Sequence, residues 1–194
     1  MRLVFATNNQ HKIKEVAHLL PTDLQLISLK DIECDDDLPE TGVKLEDNAR
    51  QKARYVHDKF GVDCFADDTG LEIEALNGRP GVYSARYAGP ACIAEDNVLK
   101  VLTELQGVQN RKARFRTVIA LYLSDKEYIF EGSIEGIIAE APVGSHGFGY
   151  DPVFVPEGEQ RTFAEMSLEE KNRFSHRSNA IRKLSDFLKQ HSIV

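Results

Sequence analysis

The sequence predicts an α/β fold built on a mixed β-sheet, and three observations carry that prediction. Strand-like and helix-like segments alternate through the first half of the chain, the pattern of a sheet flanked by helices. Two long strand-like segments separated only by "SDK" follow, the mark of a β-hairpin. The chain has 194 residues, 42% hydrophobic and 28% charged, which suits a single domain, residues 1–194, with a sizeable core.

The elements follow in order. "RLVFA" (2–6) is a short apolar run with β character, and polar "TNNQHK" (7–12) comes after it. "KIKEVAHLL" (12–20) places Ile13, Val16, Ala17 and Leu20 at helical spacing, and Pro21 ends it. "LQLISL" (24–29) alternates like a strand and leads into an acidic loop, "DIECDDDLPETG". Residues 43–61 form an amphipathic helix, with Leu45, Ala49, Lys52/Ala53, Val56 and Phe60 on one face and Gly61 just past its end. "VDCFA" and "LEIEAL" read as two strands separated by an acidic turn, "DDTG". A Gly/Pro-rich loop, "GRPGVYSARYAG", precedes a helix over 95–107. After the hairpin, a glycine-rich loop, "PVGSHGFGYDPVFVPEG", runs into a short strand. "SLEE" (167–170) has capping-box form ahead of a short helix. The last helix spans 175–190, capped by Ser175, and buries Ala180, Ile181, Leu184 and Leu188.

Composition narrows the function. A net charge of −7 argues against a protein that coats nucleic acid, because phosphate neutralisation supplies most of that affinity. A small anionic ligand remains open, since it needs only a local cluster of donors. No apolar run approaches the roughly 18 residues that span a membrane, and the apolar start is too short for a secretory signal. These features predict a cytoplasmic protein. Cys34, Cys64 and Cys92 are odd in number and far apart, so a disulfide framework is not expected.

Four segments could carry chemistry. In "TNNQHK" a strand gives way to a helix, a junction whose N–H groups suit phosphate, with Lys12 adding a cation. In "ADDTG" successive strand side chains face opposite ways, so Asp67 and Asp68 should not share one task. Carboxylates at a strand end suit Mg²⁺, and Glu40 ahead of a helix is a candidate second carboxylate. "SHGFGYDP" (145–152) combines three glycines with Phe148 and Tyr150, so an aromatic ring on a close-approach loop could stack on a base. "KNRFSHRSNA" (171–180) gathers Lys171, Arg173, His176 and Arg177 around a helix start. Each also has a plainer reading: an ordinary turn, a solvated acidic loop, a structural turn with buried aromatics, a basic helix face. Walker A, H-E-x-x-H, nucleophile-elbow and C-x-x-C patterns are absent, which leaves carboxylates, lysines and a metal for any chemistry.

Taken together, "TNNQHK", "ADDTGL", "PGVYSARYAG" (80–89), "GFGYDPVF" (147–154) and "SHRSNA" (175–180) resemble the motifs of the Ham1/inosine triphosphatase family, in the family's order and across almost the whole chain. The resemblance implies a two-lobed α/β fold around a long mixed sheet flanked by helices, with the active-site cleft between the lobes. It implies a homodimer, Mg²⁺, and hydrolysis of deaminated purine nucleoside triphosphates (ITP, dITP, XTP) to the monophosphate and pyrophosphate, which clears them from the nucleotide pool. Carried over by position, it implies that the loop Thr7, Asn8, Asn9, Gln10, His11 and Lys12 contacts the triphosphate. Glu40 and Asp68 would hold Mg²⁺, Asp68 would take the proton of the attacking water, and Thr69 would contact the nucleotide. Phe148 would stack on the base, with Gly149, Tyr150 and Asp151 shaping its pocket. Lys171 would reach phosphate or sugar, and His176 and Arg177 the 6-keto edge of the purine. Asn8 and His146 stand where the family usually has glycine.

Two other classes compete. An aspartyl-phosphate phosphatase needs D-x-D-x-T, and "DDT" has the wrong spacing. A nucleotide sensor would bind the same ligands without turnover.

Overall fold

The apolar run Arg2–Phe5 forms β1 in the computed structural model, which describes residues 1–191. The last three positions of the expected domain over 1–194 lie outside the described residues. Among the described residues six strands hydrogen-bond in the order β2-β1-β3-β4-β5-β6. They are β1, β2 (Gln25–Ser28), β3 (Cys64–Ile73), β4 (Lys112–Leu123), β5 (Lys126–Ile138) and β6 (Phe154–Pro156). β1 runs parallel to β2 and β3, whereas β5 and β6 are antiparallel, so the sheet is mixed as the alternating pattern predicted. Among the described residues five α-helices accompany it: α1 (Gln10–Ala17), α2 (Leu45–Phe60), α3 (Ala94–Glu104), α4 (Leu168–Asn172) and α5 (His176–Gln190).

The chain divides into two compact units, and neither is continuous in sequence. Unit 1 comprises Met1–Asp68, Thr117–Gly132 and Arg177–Val194; unit 2 comprises Thr69–Arg116 and Ser133–His176. β3, β4 and β5 each contribute residues to both.

Unit 1 has its own core. Leu3, Phe5, Phe65, Ile119 and Leu121 from the strands pack with Val16 of α1 and with Ala180, Ile181, Leu184 and Leu188 of α5. Phe5 and Phe65 stack with their rings 4.5 Å apart. α2 buries Leu45, Ala49, Ala53 and Val56 as its periodicity predicts, and Gly61 closes it in the left-handed conformation at φ 63°. The same buried face carries Asn48 and Lys52. α1 begins at Gln10, earlier than its apolar spacing suggested. Asn9 caps it, its Oδ1 accepting the N–H groups of His11 (3.0 Å) and Lys12 (3.2 Å). Ala17, expected on the apolar face, is exposed.

Unit 2 is centred on Leu71, Ile73, Val101, Phe115, Val153, Phe154 and Phe163. Its short α4 carries the predicted capping box: the Ser167 hydroxyl accepts from the Glu170 N–H, and the Glu170 carboxylate accepts from the Ser167 N–H. The Gly/Pro-rich loop contains a 3-10 helix, Gly81–Arg86, which the sequence did not signal.

The main departure from the sequence reading is β3. Expected as two strands around an acidic turn, it is one strand of ten residues that runs through Asp67-Asp68-Thr69-Gly70 without a break. Past the end of β1, its amides find other partners: the Leu71 N–H donates to Ser84 Oγ (2.9 Å) and the Ile73 N–H to the Arg79 carbonyl (3.2 Å). With those donors satisfied, the chain has no cause to turn.

Candidate functional site

The alternation of a strand separates the two aspartates. In unit 1, Asp67 Oδ1 accepts from Lys12 Nζ at 2.8 Å, and its Oδ2 accepts from Arg177 Nε at 3.1 Å. Arg177 also pairs through Nη1 with Glu15 of α1. All of these groups but Lys12, which is nearly so, are buried. Burial by itself would raise the Asp67 pKa, but the cations of Lys12, Arg177 and Lys52 outweigh it and hold the carboxyl well below the usual range. Burial, with Lys52 and Arg177 nearby, lowers the Lys12 pKa despite the attraction of Asp67.

Asp68 belongs to a second cluster in the same unit. Its Oδ2 accepts from Asn48 Nδ2 at 3.0 Å, and Lys52 Nζ lies 3.7 Å from its Oδ1. Lys52 Nζ also donates to Glu40 Oε1, so one ammonium stands against both carboxylates. Asn48 fixes the approach of Glu40 by accepting the Gly42 N–H at 2.8 Å. Gly42 is needed there: a Cβ would lie 2.4 Å from Asp47 Cβ. Burial raises the Asp68 pKa, and Glu40 adds to the rise, against the opposing pull of Lys52 and Lys12. Lys52 is raised in turn: burial disfavours its charge, but Asp68 and Glu40 more than restore it.

This arrangement fits a hard divalent cation. Two carboxylates converge on a point where the protein itself has put a positive charge. Among the described residues no group of three or more His, Cys, Asp or Glu side chains comes together as a metal cage. Two carboxylates with the rest of the shell left to water and phosphate oxygens is the donor set Mg²⁺ takes, and a poor one for Zn²⁺ or Ca²⁺.

Unit 2 holds the other predicted residues. Gly147 and Gly149 are in the left-handed region, at φ 75° and 62°. A Cβ on Gly147 would sit 2.0 Å from Asp151 Oδ2. That oxygen accepts from the Phe148 N–H (2.9 Å) and from Lys171 Nζ (2.6 Å), closing the loop on a buried ion pair. The Lys171 ammonium lies 5.2 Å from the centroid of the half-buried Phe148 ring and equally far from Phe163. Tyr150 donates its hydroxyl to the Ser84 carbonyl at 2.8 Å. His176 is buried and stacks on Phe115 with ring centroids 4.5 Å apart. Thr69, half-buried, begins the unit.

The remaining predicted positions are less embedded. Asn8, Asn9, Gln10 and His11 are exposed, and Thr7 is half-buried with its Oγ1 accepting the Asn9 N–H at 3.2 Å. Asn8 is not among the positive-φ residues, so its backbone conformation does not require glycine. His146 is exposed and donates its N–H to the Ala164 carbonyl. Sequence reasoning did not single out Lys52, Asn48 or Glu15. A signal existed for the first two: a lysine and an asparagine one turn apart on the buried face of α2 are out of place unless they are paired.

Comparison with known proteins places the chain in a family. The family model described as "Ham1 family" matches residues 3–187. A dITP/XTP pyrophosphatase of Flavobacterium psychrophilum is 54% identical over 97% of this chain and 100% of its own length. The dITP/XTP pyrophosphatase of Bacillus subtilis is 44% identical over 95% of this chain and 96% of its own length. The solved structure of the Ham1 protein of Staphylococcus aureus, 40% identical, superposes with a TM-score of 0.89 over 98% of this chain and 100% of that one. A match over residues 3–187, nearly the whole chain, makes this protein a member of the Ham1 family.

Proposed function

We propose that this chain is a Mg²⁺-dependent pyrophosphohydrolase that converts dITP, ITP and XTP to the monophosphate and pyrophosphate, keeping them out of DNA and RNA. The observation that carries the reading is the pairing of Glu40 and Asp68 around one positive charge, beside the buried Lys12–Asp67–Arg177 group. Relatives named dITP/XTP pyrophosphatases support the choice of substrate.

In this reading water attacks the α-phosphorus and pyrophosphate leaves. Glu40 and Asp68 would hold Mg²⁺, which would polarise the phosphates and offset the charge of the leaving group. Asp68 accepts the proton of the attacking water. Lys12, with the loop Thr7–His11, binds the phosphate chain, and Thr69 contacts the nucleotide. Asp67 keeps Lys12 and Arg177 charged and in place. Phe148 is the platform for the base, held by the bonds of Asp151 to Lys171 and to its own N–H, with Gly149 and Tyr150 completing the loop. His176 and Arg177 address the 6-keto edge. Hypoxanthine and xanthine present an acceptor there, whereas adenine presents a donor, and donors facing a donor in a buried site discriminate strongly. Homodimer formation and a cytoplasmic location are part of the same reading. No helix among the described residues is long and apolar enough to cross a membrane.

The test is product analysis over a nucleotide panel. With Mg²⁺, dITP, ITP and XTP should yield pyrophosphate far faster than ATP, and a chelator should stop turnover until Mg²⁺ is restored. Orthophosphate as the sole product, a trapped phosphoenzyme, equal rates on ATP, or tight binding of dITP without turnover would each overturn it.

A further inference from the structure

Past the end of β1, the segment 79–84 takes over as the hydrogen-bonding neighbour of β3 within unit 2. Glu72 bridges to Pro80, the Ile73 N–H donates to the Arg79 carbonyl, and the Leu71 N–H donates to Ser84 Oγ. A side-chain hydroxyl therefore stands where a main-chain carbonyl would in a regular ladder. Ser84 Oγ in turn donates to the Gly81 carbonyl at 2.6 Å, so accepting and donating are both in use. The Ser84 carbonyl accepts the Tyr150 hydroxyl at 2.8 Å, and both residues are buried. Tyr150 is flanked by Asp151, whose carboxylate fixes the Phe148 N–H and Lys171. One line of hydrogen bonds thus leads from β3, two residues past Thr69, through Ser84 to the loop that carries Phe148.

We propose that Ser84 is a positioning residue for the base platform: through Tyr150 it sets where the Phe148 ring stands, without touching substrate itself. The proposal rests on the assignment of Phe148 as that platform. Alanine at position 84 can neither accept from Leu71 nor donate to Gly81. The turn would relax, and the carbonyl that anchors Tyr150 would move with it. The consequence falls on base binding and leaves the phosphate chemistry of unit 1 alone.

The test compares the intact protein with Ser84→Ala, Tyr150→Phe and the double variant. KM and kcat are measured for dITP, and inorganic tripolyphosphate, which has no base, is titrated as a competitive inhibitor. Breaking this line of hydrogen bonds, at two bonds in Ser84→Ala and one in Tyr150→Phe, should raise the KM for dITP about tenfold or more in each single variant. The kcat of Ser84→Ala should stay within about twofold, because that residue makes no bond to the reacting groups. The tripolyphosphate inhibition constant should not move, and the double variant should be no worse than the worse single one. Equal weakening of dITP and tripolyphosphate, a fall in kcat at constant KM, or additive losses would overturn the proposal. Amide hydrogen exchange at Phe148 gives a readout independent of activity: it should quicken in both single variants, and unchanged exchange would also overturn the idea. If the unaltered protein fails to turn over dITP while exchange still quickens, the link through Ser84 stands and the pyrophosphatase reading falls. Should Ser84→Ala not fold, Tyr150→Phe removes only the hydroxyl and carries the same test.

Discussion

Asp67 and Asp68 are neighbours in sequence with opposite electrostatic situations. Asp67 lies against two buried cations; Asp68 lies beside another carboxylate and one ammonium. Asp68→Asn should therefore lower kcat on dITP by a hundredfold or more, about the effect of removing a general base. Asp67→Asn should lower it less and destabilise the fold more, by about 3–5 kcal/mol in denaturant unfolding, because Lys12 and Arg177 lose a buried counter-charge. The acid limb of stability should show the same asymmetry. The folded-state pKa of Asp67 is depressed, so the unfolded chain binds its proton first. Its contribution is complete above the unfolded value of about 3.9 and is lost as pH falls through the folded one. The raised pKa of Asp68 has the opposite sign: stability falls as pH rises from the unfolded pKa through the folded one. Unfolding free energies measured from pH 3 to 6 should fall toward acid more gently in Asp67→Asn than in the unaltered protein. An equal slope would mean that Asp67 is not the group responsible.

At the scale of elements, the glycine-rich loop is held by one carboxylate. Gly147→Ala would force a Cβ against Asp151 Oδ2 and impose a left-handed backbone on a residue that resists it. We expect a rise of roughly tenfold in the KM for dITP and a loss of about 1–3 kcal/mol in stability, read from steady-state kinetics and thermal unfolding. Helices and the hairpin were legible because their signals are local. Apolar spacing places α2 and α5, Ser167 with Glu170 starts α4, and "SDK" contains the two left-handed residues, Ser124 and Asp125, that turn β4 into β5. β3 was not legible, because its partners past the end of β1, the strand β4 together with Ser84 and Arg79, lie elsewhere in the chain or across a turn. The same holds for the site. The sequence pointed to Glu40, Asp68 and Lys171 as candidates, but the ammonium between the two carboxylates comes from a helix that reads as ordinary core packing, since sequence spacing gives the face of Lys52 and not what lies opposite it.

At the scale of the molecule, the chain passes between its two units four times, at 68/69, 116/117, 132/133 and 176/177. Two of those peptide bonds join candidate site residues: Asp68 to Thr69 and His176 to Arg177. Since three strands supply both cores, neither unit can unfold without stripping shared strands from the other. Urea unfolding should then be a single transition, with circular dichroism and residue-resolved hydrogen exchange in β1 and in α3 giving the same midpoint. Two separated midpoints would show that the cores melt independently. The unit 1 core also has a consequence for synthesis. It is lined by β1 and by Ala180, Ile181, Leu184 and Leu188 of α5, an element made long after β1. Domains whose cores are contiguous in sequence can close while translation continues. Here the nascent chain must keep Leu3, Phe5 and Phe65 without their final cover until α5 has been made. A truncated product lacking α5 would lack both that cover and Arg177, and so would be recognisable to a protease as unfinished rather than persist as a partly active enzyme.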